Sequence, residues 1–404
     1  MPHIRLDRSD IPTALRGLVA TDAAARPRYW ATVWSDVLAG DISESTRRQN
    51  LSAIERLYRV AEALPGSPGL DRLIADMNFD TLEAALGGLL TEFRNEAKGR
   101  LIDRNIAWRI ALRFVENVMS HLSPAAEVRV ADLAMRIERL NRLYARLAPM
   151  GPRPPKPIRA LPAVVVEDLY EIFNPQSPRN PFKTASQRWR NYMIFLMMLH
   201  LGLRSGELLI LPTNAIHEGF DFRAGEHVRW INITTLDDRE DPRSSRPSIK
   251  TATSHRQLPV SLEIVRIVDL YTMNYRGKPR HPFLVSSQKS RPLAKQTLAD
   301  IFNGASEALS DSALKILKSH GKSSVTPHDL RHTAAVVRLT KYRNSGLDLD
   351  TSVEKLRAYF GWSAGSAMPR HYARAYFEST LADVWNDSFD SFVASLRQLG
   401  SGPK

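Results

Sequence analysis

Residues 148–162 read APMGPRPPKPIRALP, with six prolines in fifteen positions. Proline donates no amide hydrogen and turns the residue before it away from helix. No helix or interior strand runs through such a stretch, so it reads as an extended, semi-rigid linker. It parts a 404-residue chain into 1–147 and 163–404, each long enough for its own core. Arg153, Lys156 and Arg159 make it either a strap that crosses a polyanion or a plain spacer.

The first part reads as a bundle of four or five helices. SESTRRQNLSAIERLYRVAEALPG opens on Ser, repeats apolar residues at Leu51, Ile54, Leu57, Tyr58 and Ala61, and stops at Pro-Gly. RPRYWATVWSDVLAG, DTLEAALGGLLTEFRNEAKG, RNIAWRIALRFVENVMSHLS and AAEVRVADLAMRIERLNRLYARLAP keep the same period. After the linker, VVVEDLYEIFNP, ASQRWRNYMIFLMMLHLGL and RSGELLILP read as helices, the last with Ser205 as its cap. HEGFDF, HVRWINITT and HRQLPVS alternate and carry β-branched residues, which predicts a small antiparallel sheet. LDDREDPRSSRPS (236–248) reads as a solvated, mobile insertion in that sheet. From about residue 292 the chain is helical again. The expected fold is mostly α, with a helical N-terminal domain and an α-rich C-terminal domain that holds the sheet.

Composition narrows the partner. Net charge is +13. Residues 101–200 carry 15 Lys/Arg against 8 Asp/Glu and residues 251–300 carry 8 against 3, while 1–100 and 201–250 are near neutral. A local basic excess on a folded chain points to nucleic acid, with a basic but non-binding surface as the alternative. There is no Cys, which removes thiolate nucleophiles and Cys-based metal sites. MIFLMMLHLGL (193–203) is the longest apolar run and is too short to span a bilayer. The charged start does not read as a secretory signal. The expected place is the cytoplasm, beside the nucleoid, with no membrane partner.

SSVTPHDLRHTAAV (323–336) holds the densest chemistry. Thr326 caps, Pro327 takes the first helical position, and Asp329 stands third. His328 and Arg331 then share the first turn, where free amides and the helix dipole favour an anion such as phosphate. Other stretches can be set beside it. LGLRSGELLIL places Arg204 at a turn between helices, and IKTATSHRQLPV places Lys250 before a strand. LRAYFGWSAGSAMPRHYARAYF supplies Trp362 and, ten residues later, Tyr372. Each is an ordinary string by itself.

In this order and spacing they resemble the tyrosine recombinase (phage integrase) family over roughly residues 160–380. The first 150 residues match only in kind, as that family's helical core-binding domain. The resemblance implies a catalytic set of Arg204, Lys250, His328, Arg331, Trp362 and Tyr372. Trp362 stands where the family more often has His, and is expected to pack against the phosphate and donate its indole N–H. The insertion before Lys250 leaves Lys278 and Lys289 as alternatives. Tyr376 shares a helical face with Tyr372 and is the other candidate nucleophile. His332 and His371 read as neighbours of the site, and Glu207 as an anchor for the Arg204 turn.

Metal-free phosphodiester transfer needs a nucleophile, charge stabilisation and a proton for the leaving oxygen. Two arginines suit the non-bridging oxygens, His328 can hydrogen-bond the phosphate or take the Tyr proton, and a lysine among cations suits the general acid. No acidic cluster has two-metal spacing, so no cofactor is expected. The resemblance implies double-stranded DNA held in a C-shaped clamp, a tetramer on two sites, and possible accessory DNA-bending or directionality proteins. Type IB topoisomerase-like relaxation, a non-catalytic DNA-binding regulator and an RNA-binding protein are the rivals. In the tail, Trp385, Phe389, Phe392 and Leu396 form one helical face, expected to dock on the chain's own catalytic domain or on a neighbouring protomer.

Overall fold

The computed structural model describes residues 3–6, 17–39, 42, 44–95, 101–122, 127–147, 159–223, 225–234, 241–243, 247, 249 and 254–377. Lys250, most of the Pro-rich stretch and the tail helix lie outside the described residues. The chain forms two compact units, Met1–Pro155 and Lys156–Lys404.

In the first unit β1 (His3–Leu6) pairs antiparallel with β2 (Gly17–Ala20). Helices α1 (Tyr29–Val33), α2 (Glu44–Ala63), α3 (Leu70–Ala75), α4 (Phe79–Asn95), α5 (Leu101–Leu122) and α6 (Glu127–Leu147) follow. A π-helical turn over Trp34–Leu38 continues α1. The apolar face read from α2 is inside: Leu51, Ile54, Leu57, Tyr58 and Ala61 are all buried. Asp71 of α3 caps α1, accepting from the amides of Tyr29 and Trp30 at 3.0 Å each. The strand pair departs from the all-helical expectation. Each strand has four residues, too few for an alternating pattern to show.

The second unit opens with α7 (Ala163–Phe173), α8 (Ala185–Leu201) and the short α9 (Ser205–Ile210). Strands β3 (Ile216–Asp221), β4 (Glu226–Ile233) and β5 (Arg256–Pro259) form the antiparallel sheet in that order. Ile231 stands opposite both Ile216 and Leu258, and Ile231, Ile233 and Leu258 face the core. Then come α10 (Leu262–Asn274), α11 (Lys295–Glu307), α12 (Asp311–Ser319), α13 (Pro327–Asn344), α14 (Leu349–Phe360) and α15 (Met368–Phe377). α8 is the axis of this unit: Tyr192 through Leu199 are buried without interruption. The run that was too short for a bilayer is thus a core helix. Among the described residues no helix is long and apolar enough to cross a membrane.

The insertion at 236–248 is not solvated throughout where it is described. Asp241 and Arg243 are buried. Arg243 grips Asp241 through Nε (2.8 Å) and Nη2 (2.7 Å), while its Nη1 donates to the carbonyls of Leu209 and Leu293 at 3.0 and 3.1 Å. Its guanidinium lies 4.4 Å from the centre of the Phe283 ring. With these partners in place the charge is matched, so the pair tolerates burial. It pins one end of the segment that leads to Lys250.

α8 stops at Gly202, whose φ of +61° sets up the turn to Arg204. A Cβ there would meet Phe360 Cε1 at 2.4 Å and the Ala334 Cβ at 3.1 Å. Gly277 has a similar φ of +72° but open space around it. Gly202→Ala is therefore expected to cost roughly 2–4 kcal/mol, left-handed strain plus overpacking. Gly277→Ala should cost about 1–2 kcal/mol from strain alone. Thermal unfolding of the two variants checks this, and equal losses would contradict it.

Candidate active site

Five of the six residues read from the sequence, all but Lys250, come together in the second unit, on elements held by α8, α13 and the turns around them. Arg204 precedes α9 and is its N-cap, one residue earlier than the Ser205 expected. Glu207, three residues on, accepts from the Arg204 amide at 2.8 Å and from Arg204 Nη1 at 2.7 Å. It also accepts from Arg256 Nη1 and Nη2, each at 3.0 Å, and lies 3.6 Å from Arg331 Nη1. One carboxylate, 1% exposed, thus faces three guanidinium groups. Burial works to raise the Glu207 carboxyl, but the bonds from Arg256 and the charges of Arg256 and Arg331 outweigh it and bring it to about 2.

Arg331 is 3% exposed and bridges two chain turns, donating to the Gly202 carbonyl at 2.6 Å and the Phe360 carbonyl at 2.7 Å. Burial pulls its guanidinium down to about 9, against the pull of Glu207, so it remains a cation at neutral pH. Arg204 is more open, with 24% of its side chain exposed. It is steadied by Ser254 Oγ at 2.9 Å and the Gly361 carbonyl at 3.3 Å. Ser254 also donates to Gly361 at 3.3 Å. The hydroxyl thereby ties the end of the Lys250 segment to the Arg204 turn and to the turn before Trp362.

α13 begins as read: Thr326 caps, Pro327 follows, and Asp329 accepts from the Thr326 amide and hydroxyl at 2.8 and 2.7 Å. Arg159, at the end of the Pro-rich stretch, and Lys322 both reach Asp329 Oδ1, at 3.0 and 2.7 Å. Leu161 donates its amide to Thr333 at 2.9 Å. The exit of the linker is thus fastened to the helix that carries His328 and Arg331. His328 is exposed, and burial of part of its ring, then Arg159 and Arg331, lower its pKa.

Trp362 is sandwiched between aromatic rings. It stacks on Phe360 at 4.9 Å (15°) and on Tyr372 at 5.5 Å (17°). Tyr372, on α15, is 1% exposed and its hydroxyl lies 2.5 Å from His332 Nδ1. Burial holds the phenol above its ordinary pKa, opposed by Arg331 and Arg159. His332, which reads from the sequence as a neighbour of the site, touches the phenol. The missed signal was spacing, since His328 and His332 stand four apart on one helical face. Their rings lie 4.5 Å apart, edge to face. His371 packs edge-on to Tyr372 at 5.6 Å. The side chain of Tyr376 and all of Lys250 lie outside the described residues, and Lys278 and Lys289 are exposed between α10 and α11. Arg256 and Ser254 were not picked out, because HRQLPV reads only as strand.

Cations around an open Arg204, beside a buried tyrosine, suit anionic phosphoester chemistry. The family match agrees: residues 161–379 match the model described as "Phage integrase family". The chain belongs to the phage integrase family of DNA-breaking and rejoining recombinases. It is similar to the crystal structure of XerA recombinase, with 16% identity, 93% of this chain and 99% of that one covered, and a TM-score of 0.33. It is also similar to lambda integrase (residues 75–356) bound to DNA, at 15% identity, 87% and 96% coverage and a TM-score of 0.46. XerH recombinase bound to its difH substrate gives 14%, 82% and 94%, and 0.36. At these scores the assignment rests on the family match. No curated protein matches the chain.

Glu207→Gln tests the charge cluster. The carboxyl sits at about 2 instead of 4.5, so its contribution of about 3 kcal/mol is present above pH 4.5 and is lost as pH falls toward 2. At pH 7 the variant should be less stable by roughly that amount. The gap to the parent should close across the acid window in chemical denaturation, and a gap that does not change with pH would contradict the assignment.

Proposed function

We propose that the chain is a site-specific DNA recombinase that cleaves and rejoins duplex DNA through a 3′-phosphotyrosyl link to Tyr372. The observation that carries this is the convergence of Arg204, Arg331, Trp362 and Tyr372, the two arginines sharing Glu207 and the aromatics stacked beside Arg331. Arg204 and Arg331 stabilise the non-bridging oxygens of the scissile phosphate. His328, facing solvent, hydrogen-bonds the same group. Lys250 protonates the departing 5′-oxygen. Trp362 sets the angle of the nucleophile by stacking, in addition to its indole N–H. The freed 5′-hydroxyl of a partner strand attacks the phosphotyrosine, which conserves the bond energy without ATP, metal or cofactor. The helical first unit, Met1–Pro155, grips DNA with the catalytic unit, and four protomers join two sites.

Single-turnover cleavage of a nicked suicide substrate tests this. Tyr372→Phe should give no covalent adduct while DNA affinity changes little, because affinity comes mostly from phosphate contacts elsewhere. Adduct formation by Tyr372→Phe and its loss in Tyr376→Phe would move the nucleophile. Arg204→Ala should slow cleavage on the order of 100- to 1000-fold, the loss of one preorganised charged donor.

Lys250→Ala should also be slow, and a substrate with a 5′-bridging sulfur should restore it, since sulfur departs without a proton. Rescue of Lys278→Ala or Lys289→Ala instead would move the acid. Relaxation of plasmid without sequence preference would favour a topoisomerase over a recombinase.

A further inference from the structure

The phenol of Tyr372 is paired with a histidine outside the set read from the sequence. His332 is 5% exposed, on the buried side of α13, forty residues from Tyr372. Its Nδ1 lies 2.5 Å from the tyrosine Oη, with ring centres 5.5 Å apart. His328, one turn earlier, is exposed. The two histidines thus face different groups: His328 faces the solvent from which a phosphate arrives, and His332 faces the nucleophile.

We propose that His332 is the base of this site: its Nδ1 takes the phenolic proton as Tyr372 Oη attacks phosphorus, and returns it on rejoining. The inference rests on the reading of Tyr372 as nucleophile. In the forward step the O–H bond of Tyr372 breaks and its proton passes to His332. The Oη–P bond forms, the P–O5′ bond breaks, and the leaving oxygen takes a proton from the general acid. Rejoining runs the same transfers backward, and His332 ends neutral.

The surroundings set the timing of that transfer. Around the imidazole stand His328, Asp329 and Arg331 of α13, Arg159 of the linker exit, Lys322 of the preceding loop, and Tyr372 of α15. Burial, then His328 and Arg159, lower His332 to about 3, with Asp329 opposing. The resting ring is therefore neutral, and in the tautomer protonated at Nε2 its Nδ1 lone pair faces the phenol 2.5 Å away. Two changes make transfer favourable when DNA binds. The phosphate charge offsets the cations that depress His332, and the phenol oxygen loses its basicity as it bonds to phosphorus.

The experiment uses the full chain and a nicked suicide substrate on which the parent forms an adduct and Tyr372→Phe does not. Failure of that first step sinks the functional reading and this inference with it, whereas an adduct on Tyr372 that forms unimpaired in His332→Ala sinks this inference alone. His332→Ala should bind DNA within about threefold of the parent yet cleave about 100- to 10,000-fold more slowly, the usual range for a lost acid or base. Added imidazole should restore cleavage at least about tenfold by occupying the vacated space. A 5′-bridging sulfur should leave the defect in place, although it rescues Lys250→Ala. His332→Gln, which keeps a hydrogen-bonding side chain without a base, should be about as slow and covers the case in which Ala unfolds. The proposal is overturned by cleavage within about threefold of the parent in either variant, by rescue with the sulfur substrate, or by folded, DNA-bound His332→Ala that ignores imidazole.

Discussion

The catalytic unit depends on one buried carboxylate. Glu207 faces Arg204, Arg256 and Arg331, and without it three guanidinium groups would crowd together unbalanced. Breaking such a pair by removing one partner leaves uncompensated buried charge, which is far costlier than losing a surface ion pair. The same arginines also hold backbone: Arg331 ties Gly202 to Phe360, Arg256 donates to the Tyr359 carbonyl at 2.7 Å, and Arg204 reaches Gly361. The charge cluster therefore joins the turn after α8, strand β5 and the end of α14. Trp362 and, through stacking, Tyr372 follow from that junction.

Chemistry and packing share these contacts. Gly202 must lack a side chain because Phe360 lies against it, and its carbonyl is an acceptor for Arg331. Phe360 in turn stacks on Trp362, which stacks on Tyr372. A change at Gly202 thus reaches Tyr372 through two rings. Near the start of the second unit, Arg159 and Leu161 join the same network through the helix that carries His328, Arg331 and His332.

Much of this was legible because it is local. The period of Leu51, Ile54, Leu57, Tyr58 and Ala61 announces α2, and Thr326-Pro327 with Asp329 announces the start of α13. The order of GLRSGE, HDLRH, FGW and Tyr372 carries the family, although each string is weak by itself. What stayed hidden is mostly long-range. The Asp241–Arg243 pair looks like solvated loop until Leu209, Leu293 and Phe283 close around it. Arg256 looks like an outward strand residue until Glu207 lies beneath it. His332 looks like a bystander because its partner is on another helix, forty residues away. The four-residue strands β1 and β2 are too short to show a period.

The proposed chemistry leaves Tyr372 covalently joined to DNA. Trapping the parent chain on a nicked suicide substrate, digesting protein and DNA, and locating the attached nucleotide by mass spectrometry tests it most directly. A 3′-linked nucleotide is expected on the Tyr372 hydroxyl and on no other side chain. A nucleotide on Tyr376 or another residue, or a cleaved strand with no protein attached, would contradict it.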